Sequence, residues 1–174
     1  MAYRYATQNM TENMVKAVRL SMQISTKVSV EIGSRIKGKS PAEAIKMLES
    51  VVEMKRPMPY SRFNWNVGHK PGHTGPGRYP VAASTAFIAL IKSVVANAVN
   101  QSLDEKKLII VSVVAQKGAK TYKYSRVRGL KAKNTHVEIV VQQVEPKVRT
   151  PRVKQTAQTR QEAAAKAAAT SQKQ

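Results

Sequence analysis

Seven cationic side chains, Lys117, Lys120, Lys123, Arg126, Arg128, Lys131 and Lys133, fall within 17 residues that contain no carboxylate. Like charges at that density repel one another, and an ordinary solvated surface interleaves them with acids. What such a set can do together is neutralise phosphate. Lys acts as a point charge, whereas the planar guanidinium of Arg grips two oxygens at once, which makes Arg126 and Arg128 the fixed anchors of the group. Tyr122 and Tyr124 lie among these cations with two open readings, packing across a strand pair or stacking on unpaired bases. A second basic stretch sets Arg56, Arg62, Lys70 and Arg78 around Trp65, which is either a stacking platform or a lid on the core.

Other chemistries find poor support. His69 and His73 stand four apart, a spacing that would join two metal ligands on a helix, but Pro71 and Gly72 between them remove the helix, so no metal site is expected. The chain has no cysteine, which excludes a disulfide scaffold, a thiolate zinc site and thiol catalysis and fits a reducing compartment. Its ten acids are badly placed for proton transfer: Glu43 caps a helix, Glu31, Glu49 and Glu53 lie on helices, and none forms a close pair beside a His. There is no nucleophile and base set and no glycine motif that cradles phosphate. The expectation is a protein that is not an enzyme and has no cofactor. His136 reads as a surface residue on the polar face of a strand.

The charge balance extends the argument to the whole chain. Residues 54–103 and 106–137 hold no Asp or Glu, and the formal net charge is +20 on 174 residues. Self-repulsion of that size weakens an isolated compact state unless a polyanion neutralises it, so the expected partner is nucleic acid. Residues 80–99 are apolar enough to suggest a membrane span, but Lys92 near the centre and Ser84, Thr85, Ser93 and Asn97 make a buried helix the better reading, without membrane insertion. Met1-Ala2-Tyr3-Arg4-Tyr5 lacks the apolar core of a secretory signal, so the expected location is the cytoplasm.

The elements that must position these residues follow from periodicity. Val18, Leu20, Met22 and Ile24 alternate with polar residues and predict a first strand with that set buried. A helix over 26–37 follows, with Val28, Ile32 and Ile36 inward, Ser25 or Thr26 as cap and Gly38 at its end. Ser40-Pro41-Ala42-Glu43 is a capping box for a second helix whose stripe is Ile45, Leu48 and Val52 and which ends before Pro57. Residues 57–79, with four prolines and four glycines, read as an irregular loop that supports no central strand. A third helix from Pro80 carries Phe87, Leu90, Ile91, Val94, Ala98 and Val99. Leu108 to Ala115 is apolar almost throughout, the pattern of a strand covered on both faces, and Val137, Ile139 and Val141 alternate in a last strand with a wetter face. Continuing these two strands would make a hairpin over about 108–142 that projects the basic residues some 26 Å, at roughly 3.3 Å per residue. The fold class expected is α/β (α+β), with three helices packed on a small three-stranded antiparallel sheet and a long protruding β-hairpin. Residues 1–145 form the single domain, and 146–174 form a basic, Ala-rich tail that orders only on RNA.

Specific residues then carry a family resemblance. Gly38-Lys39-Ser40 with Ala44 and Leu48, and Lys55-Arg56-Pro57 through Arg62-Phe63-Asn64, resemble the helix junction and the archaeal and eukaryotic loop of the universal large-subunit ribosomal protein numbered twenty-two. Gly77-Arg78-Tyr79-Pro80 before an Ala-rich helix ending Ala96-Asn97-Ala98 is the most distinctive piece. Lys117-Gly118, Tyr124 to Gly129 and Thr135 to Ile139 are similar to its hairpin and return strand. The hairpin is a few residues shorter than in bacterial relatives, and the family's Glu near Val95 is missing. The resemblance covers about residues 13–144 and implies a structural protein of the large subunit, in archaeal form. It implies binding to large-subunit ribosomal RNA and neighbouring ribosomal proteins, with the hairpin tip near the nascent peptide in the exit tunnel. The rival from charge alone is a general nucleic-acid compaction protein.

Overall fold

The structure, a computed structural model, describes residues 3–8, 10–72, 74–127 and 129–144; Arg128, His73 and the predicted tail from 146 onward lie outside the described residues. Its elements are β1 (Met14–Met22), α1 (Thr26–Ile36), α2 (Pro41–Val52), β2 (Met58–Pro59), β3 (His69–Lys70), β4 (Gly75–Arg78), α3 (Val81–Asn100), β5 (Leu108–Lys117) and β6 (Thr135–Gln143). The fold is α+β as expected. β1, β6 and β5 form an antiparallel sheet in that order, and the three helices pack on it: α1 against β5, α3 against β1 and β6, and α2 against α3.

The core lies between that sheet and the helices. Ile32 and Ile36 of α1, Leu48 of α2, Phe87 and Ile91 of α3, and Ile110 and Ile139 of the sheet are all buried in it. α3 is long and apolar enough to cross a membrane, yet its Phe87, Leu90, Ile91, Val94 and Ala98 are spent on this core. Val99, expected inward, is 50% exposed because it falls off that stripe at the helix end. Gly33 lets α1 sit close on β5, since a Cβ there would come within 3.0 Å of the Val113 side chain.

β1 corrects the expected face. Its inward residues are Val15 and Ala17, then Met22 and Ile24, whereas Val18 is only half-buried and Leu20 is half-exposed. The register with β6 shifts between Arg19 and Met22, and Ser21 there takes a positive φ of 55°, so one extra residue moves the inward set from odd to even positions. The ring of His136 holds this bulge: its Nδ1 accepts a 2.9 Å hydrogen bond from the Ser21 amide. His136 is therefore not a plain surface residue.

The strand roles are exchanged as well. β6, expected to have a wet face, is the central strand, with Val137 to Val141 all buried, while the apolar β5 is an edge strand that is half-buried over most of its length. The second face of β6 is covered by the N-terminal segment through Glu138, which accepts from the Tyr3 hydroxyl (2.7 Å), the Ala6 amide (2.9 Å) and Gln116 Nε2 (2.7 Å).

The helix starts differ from each other. Ser40 Oγ accepts from the Glu43 amide at 3.3 Å with Pro41 behind it, but Ser25 makes no side-chain cap, and Thr26 Oγ1 instead meets Thr135 Oγ1 of β6 at 2.9 Å. The α2 face that is buried is Pro41, Ala44, Leu48 and Val51, rotated from the expected stripe so that Ile45 and Val52 are half-buried. Gly38 ends the first helix at φ +80°. The stretch from 57 to 79 is more ordered than its composition suggests. β2, β4 and β3 pair antiparallel in that order, in pieces of only two to four residues, and contrary to expectation the middle strand β4 contains Pro76 while β2 ends in Pro59.

Candidate nucleic-acid interface

Beyond β5 and β6 the two chain segments stay opposite one another. Gly118 N donates to Asn134 O, Ala132 N to Thr121 O and Lys123 N to Leu130 O, and Tyr122 bridges Lys131. Every described residue from Ala119 to Lys131 is exposed. With no apolar burial among the described residues from 119 to 131, these arms are shaped by backbone pairing, by the bonds of Asn134 Nδ2 to Ala119 O and Ser125 Oγ to Val127 O, and by the strands in which they are rooted. Lys131 Nζ lies 4.7 Å from the Tyr122 ring centroid, so the cross-strand partner of Tyr122 is a cation. Tyr124 is fully exposed, as is most of Val127 and Leu130 near the turn.

At the root of the arms Lys117, Lys120 and Lys133 converge with Lys27, Ser25, Thr26 and Asn134 around a cleft of about 410 Å3. Lys27 was not singled out by sequence, because only the packing of α1 beside β5 brings it there. Lys123 and Arg126 lie farther out on the exposed arms. The ion pairs found among the described residues, Lys55 with Glu53 and Lys107 with Asp104, involve none of these cations.

The second basic region is built on a carboxylate. Glu31 of α1 is 1% exposed and faces the backbone of the segment after β2. Its Oε1 accepts from the amides of Arg62 (2.7 Å) and Phe63 (2.6 Å), and its Oε2 accepts from the amide (3.1 Å) and hydroxyl (3.3 Å) of Ser61. Burial by itself would raise the carboxyl, but the amides of Phe63, Ser61 and Arg62 more than offset it and hold Glu31 below the ordinary 4.5. The sequence predicts only that Glu31 lies on a helix; its burial comes from the packing of α1 against residues 61–63. The available signal was its place beside Ile32 in a chain otherwise poor in carboxylates.

Past that grip the chain turns at 64–67, where the Val67 amide donates to Asn64 O and Asn66 takes a φ of 54°. Tyr60 and Val67 are buried on either side, and Trp65 between them is 86% exposed. Of its two sequence readings, the lid on the core is therefore excluded. Arg62 stands 5.5 Å and Lys27 5.7 Å from the Phe63 ring centroid, Arg78 5.9 Å from that of Tyr60, and Lys70 5.6 Å from that of Tyr79. Arg56 is exposed beside Lys39 and Arg35, lining a separate cleft near β2. Arg62, Lys70 and Arg78 thus each lie beside an aromatic ring of the 57–79 stretch, and Lys27 lies both near Phe63 and in the cleft at the root of the arms. Among the described residues no group of three or more His, Cys, Asp or Glu comes together as metal ligands would.

Comparison with known sequences is consistent with this geometry. A family model described as ribosomal protein L22p/L17e matches residues 17–142. A large ribosomal subunit protein uL22 from Staphylothermus marinus is 36% identical over 125 residues, covering 66% of this chain and 80% of that protein. Its counterpart from Thermofilum pendens is 38% identical over 115 residues (63% and 76%), and that from Haloarcula marismortui is 36% identical over 121 residues (66% and 78%).

Proposed function

The chain belongs to the ribosomal protein L22p/L17e family in its archaeal form, and from that premise we propose that it is a structural constituent of the large ribosomal subunit that binds large-subunit RNA and aids its assembly. The paired arms run along that RNA, and their tip, with exposed Val127 and Leu130, helps line the tunnel by which the nascent peptide leaves. RNA contacts fall to Lys117, Lys120, Lys123, Arg126, Arg128, Lys131 and Lys133 on the arms, with Tyr122 and Tyr124 offered to unpaired bases. Arg56, Arg62, Trp65, Lys70 and Arg78 serve the second surface. Other ribosomal proteins are its neighbours in the cytoplasmic ribosome, and α3 stays in the core without entering a membrane.

One observation supports this reading above the rest. The described cations of the arms are exposed on a segment without acids, while Glu31 and Glu138 are buried and committed to internal donors. The segment itself holds no carboxylate to oppose phosphate. Removal of residues 118–133 is expected to abolish most binding to refolded large-subunit RNA at physiological salt. For the full chain, log affinity should fall with log salt at a slope of about −5 or steeper from seven phosphate contacts. Undiminished binding by the shortened chain, or a flat salt response, would overturn the reading. Equal affinity for duplex DNA in the same salt would favour a general compaction protein, because an architectural RNA binder selects folded RNA by shape.

A further inference from the structure

Trp65 stands at the apex of a turn that is fixed from below on both sides. Before it, the Glu31 carboxylate takes the amides of Ser61, Arg62 and Phe63. After it, Val67 is buried and its amide closes the turn on Asn64 O. A large apolar ring on a loose loop would fold down onto the nearest apolar surface, since burying it is favourable by its area. Here the backbone is held so that the ring stays 86% exposed. Its surroundings on the chain are cationic, with Arg62 and Lys27 both near the Phe63 ring and no carboxylate from 54 to 103.

From this geometry we infer that the Trp65 turn is a base-stacking subsite for one unpaired nucleotide of the RNA, and that Glu31 is its positioning residue. The inference rests on the reading of the chain as an RNA binder. An indole face offers stacking to any base, and Arg62 and Lys27 supply charge for the flanking phosphates. The buried carboxylate contributes by removing freedom beforehand: a turn already held in its bound shape loses little entropy when a base arrives. A negative group inside a phosphate-binding surface is tolerable because three amides absorb its charge and it is screened from the ligand by the turn itself. A neighbouring protein is the rival occupant of the exposed ring, but a loop from an acid-free stretch, with Arg62 and Lys27 beside Phe63, fits RNA better.

Trp65 is the only tryptophan in the sequence, so its fluorescence reports this subsite alone. The experiment titrates the full chain with refolded large-subunit RNA while following both binding, by filter retention, and indole emission. Wild type is expected to bind with strong quenching, and Trp65→Ala to bind about tenfold more weakly with no change in fold by circular dichroism. Glu31→Gln keeps size and shape but turns an amide donor toward backbone donors. It should retain the salt slope set by the arms while losing most of the quenching, and free Trp65 should show lower fluorescence anisotropy. If that variant does not fold, Ser61→Ala removes one of the four donors at an exposed residue and should lower the anisotropy in the same direction. Saturable binding without quenching, quenching seen only with whole subunits and not with RNA, or anisotropy unmoved in both variants overturns the inference. Absence of RNA binding by wild type overturns the proposed function instead.

Discussion

The hydroxyl of Tyr3 donates a 2.7 Å hydrogen bond to the carboxylate of Glu138, a residue 135 positions away and 1% exposed at the centre of the sheet. This bond and that of the Ala6 amide lay the N-terminal segment over the face of β6 that the helices leave open. Tyr3→Phe should destabilise the fold by about 1.5–3 kcal/mol, the range for a hydrogen bond to a charged group, as read by urea unfolding. Burial first, and then the carboxylate, push the Tyr3 phenol up from 10.0 to about 12. The unfolded chain releases that proton nearer 10, so the contribution is complete below pH 10 and is lost as pH climbs toward 12. Wild type and Tyr3→Phe should converge in stability across that window.

Glu31 behaves in the opposite sense. Its carboxyl is lowered in the fold by the amides of residues 61 to 63, which outweigh burial, so its stabilisation is present above the ordinary 4.5 and is lost as pH falls through the lower folded value. Replacement by Ala strands three backbone donors and should cost about 3 kcal/mol at neutral pH. Urea unfolding of both proteins at falling pH should show the difference shrinking once acid protonates the wild-type group.

The two N-terminal serines give a sharper contrast. Ser40 caps α2 through the Glu43 amide, and Ser40→Ala should cost about 1 kcal/mol. Ser25 makes no such bond, and Ser25→Ala should change stability by less than about 0.5 kcal/mol. Equal losses in thermal unfolding would contradict the observed difference.

Lys117, Lys120 and Lys133 meet at the root of the arms and are accessible to phosphate. Their joint replacement by Gln should leave the circular dichroism spectrum unchanged and reduce the magnitude of the salt slope for RNA binding by about 2. An unaltered slope would mean that the cleft they line stays clear of RNA.

The parts of the fold legible beforehand are those decided by near neighbours. The bounds of α1, α2 and α3 follow from apolar spacing, from Ser40-Pro41 and from Gly38, because helical hydrogen bonds close within four residues. The inward face of β1 could not be read the same way, since the shift that exchanges Leu20 for Val15 and Ala17 depends on how Ser21 meets His136 on another strand. Nor could the apolar run of β5 reveal an edge strand, because strand order is a matter of which distant segments pair. Of the basic residues, those of the arms stand out in the sequence by their density, whereas the place of Lys27 and the bonding of Glu31 required α1 to be seen against its neighbours.

By itself the sequence determined that this protein carries long stretches stripped of acids and rich in Lys and Arg, and that three helices and a strand pair support them. Charge and periodicity are properties of the chain and survive any arrangement of it. The tertiary structure alone decided where the buried carboxylates go: Glu31 under the Trp65 turn and Glu138 under Tyr3. A buried charge is tolerable only where donors converge on it, and those donors come from segments 30 and 135 residues away, a distance that only folding closes.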